Sequence, residues 1–166
     1  PLVAGIITKE SEMIIENVGI NPTRTGLLDV LLEMGAKVEV ITKVDSNAGE
    51  PIADLHIMSS SLKGVTIQGD MVARMIDEFP IFAIAAAHAE GTSIVREAKE
   101  LRVKETDRIA TIVEELIKLG VDIEEFEDGF VIKGGNPIKA TKVNSHGDHR
   151  VAMSLVIAAL TAEGAV

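Results

Sequence analysis

The sequence predicts an α/β (α+β) protein made of repeated strand-helix-strand units, with buried helices inside and sheets outside. Short runs that alternate apolar and polar residues, typical of strands, are interspersed with longer runs of helical period. Two of the helical runs are apolar on nearly every side, which is typical of helices in a protein interior. Features at the ends of the helices recur once along the chain, and this recurrence indicates an internal repeat.

Eight short runs have the composition and alternation of β-strands. They lie at residues 11–18, 37–42, 53–58, 65–68, 92–96, 121–125, 130–133 and 140–143. The turn Asp128-Gly129 separates two of these runs and predicts a hairpin. The polar stretch 44–51 is predicted to be a loop.

Four helices are predicted between the strands, and a glycine marks the end of two of them. The first begins at Asn21-Pro22, a capping residue followed by proline at the first helical position, and it ends at Gly35. The third is amphipathic, because its apolar residues recur every three or four positions, and it ends at Gly120. The second and fourth are the nearly all-apolar helices. The four predicted ranges are 21–34, 75–89, 104–119 and 148–162.

The recurring features divide the chain into two similar parts. The helix end Met34-Gly35 recurs as Leu119-Gly120, Arg24 recurs as Arg108, and Ala89-Glu90-Gly91 recurs as Ala162-Glu163-Gly164. We therefore expect one partial domain over residues 1–166, with repeat units of about 10–90 and 91–164. Because the chain begins at Pro1 without Met, we expect a fragment or a processed piece of a larger protein.

The composition argues against several classes of function. Hydrophobic residues make up 46% of the chain, and the core must be aliphatic because there are four Phe and no Tyr or Trp. A net charge of −10 and the lack of stacking side chains argue against a nucleic-acid binder. The longest apolar run is far shorter than the ~20 residues of a membrane span, so no membrane partner is expected. With no cysteine and no visible signal peptide, we expect a cytoplasmic protein.

Charged residues cluster at three predicted helix starts, Asp77-Glu78, Lys104-Glu105-Arg108 and Asp148-His149-Arg150. If the repeats pack side by side, equivalent helix starts lie on the same side of the domain. In the helix predicted from Lys104, this lysine and Arg108 share one face, and Glu105 lies half sheltered in the first turn. The free N–H groups and the dipole of a first turn favour an anion. The pattern predicts an anion site with an acid/base group at its edge, although a solvated helix start gives the same pattern.

A metal site is a weaker interpretation of the last cluster. His146, Asp148 and His149 place two imidazoles and a carboxylate near one another. No other His or Cys cluster supplies further ligands, and the adjacent Arg150 opposes a cation, so we expect no metal.

Two other polar residues have structural interpretations. His88 lies late in a predicted buried helix, where a structural role or a C-terminal cap is favoured over catalysis. Arg24 is either a further anion contact or the partner of Asp29 or Glu33 in a surface ion pair.

Four segments of the chain carry a family resemblance. They read EPIADL at 50–55, IDEFP at 76–80, ELRVKETDRI at 100–109 and GDHRVAM at 147–153. Together, and in this order, they resemble the 5-enolpyruvylshikimate-3-phosphate (EPSP) synthase family over nearly the whole chain. The resemblance implies part of a domain with the enolpyruvyl transferase-like fold, an inside-out α/β barrel. In this family two such domains are each built from three strand-and-helix units, and the active site is the cleft between them.

The resemblance also implies a reaction. The enolpyruvyl group of phosphoenolpyruvate passes to the 5-hydroxyl of shikimate 3-phosphate through a tetrahedral intermediate, which then expels phosphate; no cofactor is implied. Asp77 would contact shikimate 3-phosphate and take the proton of its 5-hydroxyl. Glu105 would protonate the enolpyruvyl methylene and later deprotonate it. Lys104 would contact both substrates, and phosphoenolpyruvate would be held by Arg108, His149 and Arg150.

The chain departs from the family in its length. Family members are much longer, and the basic and serine contacts of their N-terminal domain and the lysine near their C-terminus have no counterpart here. We therefore expect a C-terminal part of the enzyme with about half the active site, which depends on the missing N-terminal domain and C-terminal segment as partners. The alternative is a non-catalytic anion-binding or assembly module of the same fold.

Overall fold

The computed structural model describes residues 1–43 and 49–163. Its helices are α1 (Leu2–Ile7), α2 (Gly26–Glu33), α3 (Asp70–Arg74), α4 (Phe79–His88), α5 (Arg108–Lys118) and α6 (His149–Ala159). Its strands are β1 (Glu12–Gly19), β2 (Lys37–Lys43), β3 (Ile52–Met58), β4 (Thr66–Ile67), β5 (Thr92–Val95), β6 (Asp122–Phe126) and β7 (Gly129–Lys133). A 3₁₀ helix over Lys99–Val103 precedes α5. No helix in the described part of the chain is long and apolar enough to cross a membrane.

The strands form two separate sheets. In the first, of order β1-β3-β2, the central strand β3 is antiparallel to both neighbours. Ala53, Leu55 and Ile57 of β3 are buried and the residues between them are half-buried, which is the period of two that predicted the strand. The second sheet has the order β4-β5-β7-β6, in which β4 is parallel to β5 and the other pairs are antiparallel. Because β4 precedes α4 in the chain, it links the first half of the chain to the second sheet.

Seven of the eight predicted strands are confirmed, as β1 to β7 in chain order. The strand predicted at 140–143 is wrong, because this segment makes no ladder of strand hydrogen bonds with any described residue. The predicted hairpin is confirmed as β6–β7, although its turn is Glu127-Asp128, since Gly129 already pairs with Phe126. Residues 44–48 of the predicted loop lie outside the described part of the chain.

Two isolated β-bridges lie at corresponding points of the two halves. Lys63 bridges Glu90 just after α4, and Lys139 bridges Glu163 after α6. The backbone N–H of each lysine also donates to a carbonyl at the C-terminal end of the amphipathic helix in its own half, α2 or α5. These matching contacts support the proposed division into two repeat units.

The helices begin later than predicted, whereas the ends of the two amphipathic helices are confirmed. The Asn21 side chain accepts a hydrogen bond from the Thr23 N–H at 3.0 Å, so it closes a turn ahead of α2 and does not cap this helix. The short helix α3 was not predicted, and α4 begins only after Asp77. Gly35 and Gly120 follow α2 and α5 with φ angles of 92° and 84°, the left-handed conformation that glycine adopts most readily.

Helix α4 lies at the centre of the core and is buried along nearly its whole length, as predicted. Its Phe79 and Phe82 rings pack edge to face, with ring centroids 6.4 Å apart. The structural interpretation of His88 at its end is confirmed. The His88 Nδ1 is 2.8 Å from the Ile84 carbonyl oxygen, and its Nε2 is 2.7 Å from the Thr161 hydroxyl.

Helix α6 is buried on one side, where it packs against α4 and α5, so the prediction that it is buried all round is wrong. On its other side Met153, Val156 and Leu160 are 58%, 65% and 57% exposed. Met153 and Val156 line an apolar groove between α6, α1 and α4, which Leu2 and Ile81 also line. The described part of the chain therefore leaves a contiguous apolar surface beside the core.

Candidate active site

The bend that precedes α5 carries Lys104 and Glu105, which the sequence had placed in the helix itself. Asp107 caps the helix, because its Oδ1 accepts a hydrogen bond from the Ala110 N–H at 3.1 Å. A short carboxylate favours this capping position, where it can bond to free backbone N–H groups. The predicted helical relation between Lys104 and Arg108 is therefore wrong, and Glu105 reaches the site from a bend.

Arg108, the first residue of α5, is the centre of the site, and only 2% of its side chain is exposed. Its Nε donates to Asp148 Oδ2 at 2.8 Å, and its Nη1 donates to Asp77 Oδ1 at 3.1 Å. Its Nη2 lies 3.8 Å from Glu105 Oε1 and makes no hydrogen bond with any described residue. One guanidinium thus brings together carboxylates from three separate segments, and its Nη2 edge is left for a further anion.

Asp148 is fully buried, and it caps α6 while it pairs with Arg108. Its Oδ1 accepts hydrogen bonds from the N–H groups of Arg150 and Val151 at 2.9 and 3.2 Å. Burial alone would raise the pKa of this carboxyl, but Arg108 and the two helix N–H groups outweigh burial and lower its pKa. Asp148 is therefore ionised near neutral pH and fixes the start of α6 against the start of α5.

Asp77 lies in the turn before α4 and faces two arginines, with 42% of its side chain exposed. Besides its bond from Arg108, its Oδ2 is 3.5 Å from Arg150 Nη2, and its backbone carbonyl accepts a hydrogen bond from Arg150 Nη1 at 3.3 Å. Burial acts to raise the pKa of Asp77, but Arg108, Arg150 and Lys104 together lower it. The site therefore presents a half-exposed carboxylate that is ionised at neutral pH.

Glu78, the neighbour of Asp77, has a different environment. It is the N-cap residue of α4, and its Oε1 lies 3.9 Å from Arg150 Nη1. Burial raises the pKa of Glu78 above its ordinary value, because the more distant Arg150 only partly offsets the loss of solvent. Of the two adjacent acids, only Asp77 is held by both arginines.

Glu105 and His149 form a solvent-accessible pair on the opposite side of Arg108. The Glu105 Oε2 is 2.8 Å from His149 Nδ1, and it also accepts a hydrogen bond from the His149 backbone N–H at 3.3 Å. This contact joins the bend before α5 to the first residue of α6. A carboxylate paired with an imidazole and open to solvent is suited to exchange a proton with a bound molecule.

Lys104 makes no hydrogen bond or ion pair with any described residue, although its charge helps to lower the pKa of Asp77. Its ammonium is therefore near the site and available to a substrate anion.

Arg24 forms neither of the ion pairs suggested by the sequence within the described residues. Asp29 pairs instead with Arg74, which reaches it from α3. Arg24 lines a polar surface cleft that Arg150 and Asp77 also line, so the anion contact stays a prediction for this residue.

Two residues that the sequence did not single out hold segments of the site in place. Arg102 donates to the Glu127 carbonyl oxygen and to Asp107 Oδ2, at 2.7 and 2.8 Å, and so ties the bend to the β6–β7 turn. Glu115, buried on α5, accepts a hydrogen bond from the loop before α6. The neighbouring sequence does not indicate the role of either residue, because an Arg or Glu next to the apolar stripe of a helix is typical of a solvated surface.

Among the residues that the structure describes, two groups of acidic and histidine side chains come close enough to suggest a metal, Glu105-Asp148-His149 and Glu114-Glu115-His146. In the first group the Arg108 guanidinium already pairs with Asp148. In the second group the Lys118 Nζ lies 2.8 and 2.7 Å from the two carboxylates. His146 and His149 belong to different groups, so the local sequence motif does not assemble one site. A cation would have to displace a basic side chain in either place.

The sequence model of the family described as EPSP synthase (3-phosphoshikimate 1-carboxyvinyltransferase) matches residues 1–166. The chain belongs to the EPSP synthase family. A 3-phosphoshikimate 1-carboxyvinyltransferase of Carboxydothermus hydrogenoformans is 55% identical over 163 residues, which are 98% of this chain and 38% of that protein. A relative of the same name from Geobacter sulfurreducens is 52% identical over 165 residues, covering 99% of this chain and 38% of the relative. The chain thus spans less than two fifths of the length of these EPSP synthases.

Solved structures support the same assignment. An EPSP synthase structure from Acinetobacter baumannii matches with a TM-score of 0.92 at 44% identity, and covers 98% of this chain and 38% of that chain. The structure of the enolpyruvyl transferase NikO from Streptomyces tendae matches with a TM-score of 0.71 at 21% identity. The match covers 97% of this chain and 35% of the NikO chain, and it shows that the two share the fold. The predicted α/β fold of the enolpyruvyl transferase type is confirmed.

The buried Asp148–Arg108 pair gives a testable expectation for stability. In a full-length EPSP synthase that carries these 166 residues, Asp148→Ala is expected to lower the free energy of unfolding by about 3–5 kcal/mol, because Arg108 is left buried without its main partner. The measurement is urea denaturation. Asp122→Ala, at an exposed position on β6, is the control, expected within about 0.5 kcal/mol of the unmodified protein. If Asp148→Ala lowered the free energy of unfolding as little as the control, the expected contribution of the Asp148–Arg108 pair to stability would be contradicted.

Proposed function

We propose that this chain supplies one side of the active site of an EPSP synthase, which transfers the enolpyruvyl group from phosphoenolpyruvate to the 5-hydroxyl of shikimate 3-phosphate. The observation that carries the proposal is the arrangement around Arg108, whose two Nη groups lie 3.1 Å from Asp77 and 3.8 Å from Glu105. Two carboxylates held around one cation suit a reaction with two proton transfers, one at oxygen and one at carbon.

In this proposal Asp77 acts at oxygen. It accepts the proton of the 5-hydroxyl as this oxygen attacks the central carbon of phosphoenolpyruvate. The two arginines that lower the pKa of Asp77 keep it ionised, which is the state that a base requires. Its exposed fraction of 42% leaves an oxygen within reach of a substrate in the adjoining cleft.

Glu105 acts at carbon. It gives a proton to the methylene of phosphoenolpyruvate to form the methyl group of the tetrahedral intermediate. It then takes a proton back from this methyl group as phosphate leaves with the electrons of its C–O bond. The contact with His149 orients the Glu105 carboxylate and offers a second group through which its proton can exchange.

The substrate anions are bound by the basic side chains of this surface, Lys104, Arg108, His149 and Arg150. Phosphoenolpyruvate carries a phosphate and a carboxylate, and guanidinium groups bind both by paired hydrogen bonds. Several donors of these side chains make no hydrogen bond within the described part of the chain, among them the Nη2 of Arg108 and the ammonium of Lys104. Since the whole chain has a net charge of −10, anion binding depends on this local cluster.

The remaining contacts to shikimate 3-phosphate are assigned to the rest of the enzyme, an N-terminal domain and a C-terminal segment. Relatives that this chain covers to 38% of their length support this assignment. A cytoplasmic location for the enzyme stays a prediction from the sequence.

Substrate binding by Arg150 tests the proposal. In a full-length enzyme that carries this chain, Arg150→Ala is expected to weaken phosphoenolpyruvate binding by about 1.5–3 kcal/mol and shikimate 3-phosphate binding far less. Arg108→Ala is expected to act in the same direction, but it also leaves the buried Asp148 unpaired, so Arg150 is the cleaner probe. Both affinities are measured by calorimetry, with Arg96→Ala as control, because Arg96 pairs with Asp128 away from the site. Equal losses of affinity for the two substrates would remove Arg150 from the phosphoenolpyruvate site.

Binding of both substrates without turnover by the unmodified enzyme would favour the non-catalytic alternative.

A further inference from the structure

The loop that leads into α6 is attached to α5 through a buried carboxylate. Glu115 has no exposed surface, although it is charged and takes no part in the proposed chemistry. Its Oε2 accepts a hydrogen bond from the Asn144 N–H at 2.8 Å, and its Oε1 is 2.9 Å from His146 Nε2. Its other side-chain partner, Lys118, lies on the same helix at 2.7 Å. Every side-chain hydrogen bond that Glu115 makes outside α5 therefore goes to residues 144–147.

The charge of Glu115 strengthens these contacts. Burial alone would raise the pKa of this carboxyl, but Lys118, the Asn144 N–H and His146 lower it. Glu115 is thus ionised near neutral pH, and an ionised acceptor makes shorter and stronger hydrogen bonds than a neutral one. A buried charge that is fully paired is costly to disturb, because the removal of any one partner leaves the others unsatisfied.

The turn that Glu115 contacts has an unusual backbone. His146 and Gly147 have φ angles of 53° and 85°, the left-handed region that residues other than glycine adopt uncommonly. Within the turn, Asn144 Oδ1 accepts a hydrogen bond from the His146 N–H, and the Asp148 N–H donates to the Ser145 carbonyl, both at 2.9 Å. A turn of this kind persists where its surroundings hold it, and the side chain of α5 that makes hydrogen bonds to it is Glu115, whereas Glu114 Oε2 lies 3.8 Å from His146 Nε2.

We infer that Glu115 is a positioning residue of the active site, which holds the turn 144–147 against α5 and so fixes how His149 and Arg150 enter the site. The inference rests on the proposed function, because it acts through residues assigned there to phosphoenolpyruvate. Helix α5 makes hydrogen bonds to the start of α6 at two places, from Arg108 to Asp148 and between Glu115 and the turn ahead of Asp148. The Glu115 contact therefore restrains the turn that leads into α6, in addition to the contact of Asp148 at the first turn of the helix.

Hydrogen exchange tests the contact itself and needs no activity. In the full-length enzyme, Glu115→Gln is expected to raise the exchange rate of the Asn144 amide at least tenfold, because a neutral amide oxygen replaces the carboxylate. The amide of Ile112, in the preceding turn of α5, should keep its rate. The matched control is Glu114→Gln, since Glu114 is exposed and also contacts Lys118, does not bond to Asn144, and reaches the turn only through a 3.8 Å ion pair with His146. This control should leave the Asn144 amide unchanged.

Kinetics test the role in the site. Glu115→Gln is expected to raise KM for phosphoenolpyruvate about tenfold and to change KM for shikimate 3-phosphate less than twofold, again with Glu114→Gln as control. In an Arg150→Ala background Glu115→Gln should change KM for phosphoenolpyruvate less than threefold, because the residue through which Glu115 acts is already absent. If Glu115 had only a structural role, Glu115→Gln would change KM for phosphoenolpyruvate by the same factor with and without the Arg150→Ala substitution. If Glu115→Gln does not fold, His146→Ala removes the loop side of the contact and is expected to give the same pattern with smaller factors.

The outcomes separate this inference from the proposed function. If the unmodified enzyme turns over and Glu115→Gln changes neither the Asn144 exchange rate nor KM for phosphoenolpyruvate, the inference is overturned and the proposed function stands. If faster exchange is accompanied by equal kinetic factors in both backgrounds, the positioning role is likewise overturned. If the unmodified enzyme has no synthase activity, the proposed function fails, and with it the role of Glu115 in catalysis.

Discussion

The 166-residue chain on its own is expected to release no measurable phosphate from phosphoenolpyruvate and shikimate 3-phosphate. The candidate catalytic and binding residues are grouped around the buried Arg108, and the chain covers only 38% of the length of its relatives. In a cleft enzyme one side cannot orient two substrates, and orientation can supply ~7–11 kcal/mol of barrier lowering. Phosphate release is measured with both substrates, and a full-length enzyme that carries the same residues serves as the positive control.

The same assay has an informative second arm. Addition of the remaining segments of the enzyme as separate polypeptides should restore some phosphate release if they complete the cleft. Robust release by the chain alone, at a rate near that of the full-length control, would contradict the expectation. It would mean that a single side of the cleft is sufficient for positioning.

Loss of either carboxylate is expected to lower turnover strongly in the full-length enzyme. Asp77→Asn and Glu105→Gln keep the shape of the side chain and remove its ability to transfer a proton, so each should cost ~10²–10⁴ in turnover. Substrate affinity should change much less, because the basic side chains that bind the anions remain. Glu124→Gln, exposed on β6, is a control for the change in charge and should leave turnover unaltered.

The two carboxylates should differ in one further measurement. Without Glu105, the methylene hydrogens of phosphoenolpyruvate should exchange with deuterated solvent far more slowly, because this exchange requires protonation at carbon and its reversal. Proton NMR of the substrate follows the exchange directly. Near-normal exchange and turnover in Glu105→Gln would remove Glu105 from the mechanism and leave the bend before α5 as a solvated charged segment.

Local patterns in the sequence predicted most of the elements but not where the helices begin. Seven of the eight predicted strands and the two glycine-terminated helix ends depend on neighbouring residues only, and they lie where they were expected. The start of α5 was placed too early because Glu105 lies four residues before Ile109, on a backward extension of the apolar stripe. Asp107 stabilises the helix more as its N-cap residue than as a residue within it. The apolar period does not contain this information, because capping depends on the hydrogen bond of one polar side chain.

The arrangement of the site was predictable only in part. Charge and family resemblance selected the residues, but the partners of Arg108, namely Asp77 and Asp148, lie 31 and 40 positions away along the chain. No local pattern indicates that this arginine is buried, since buried and exposed arginines look alike in a sequence. The exposure of one side of α6 could not be predicted for the same reason. The apolar pattern of α6 indicates that a side chain such as Val156 is suited to burial, but it does not indicate which part of the protein covers it.

The purely aliphatic and phenylalanine core has an optical consequence. With no Tyr or Trp, the chain has almost no near-ultraviolet absorption and no tryptophan emission of its own. Phe126 is a suitable place for a single introduced tryptophan, since its ring lies 4.7 Å beneath the Arg96 guanidinium and its carbonyl accepts a hydrogen bond from Arg102. Arg102 also holds the bend that carries Lys104 and Glu105. A Phe126→Trp chain would therefore report on that bend by fluorescence, with no background from any other residue of the chain.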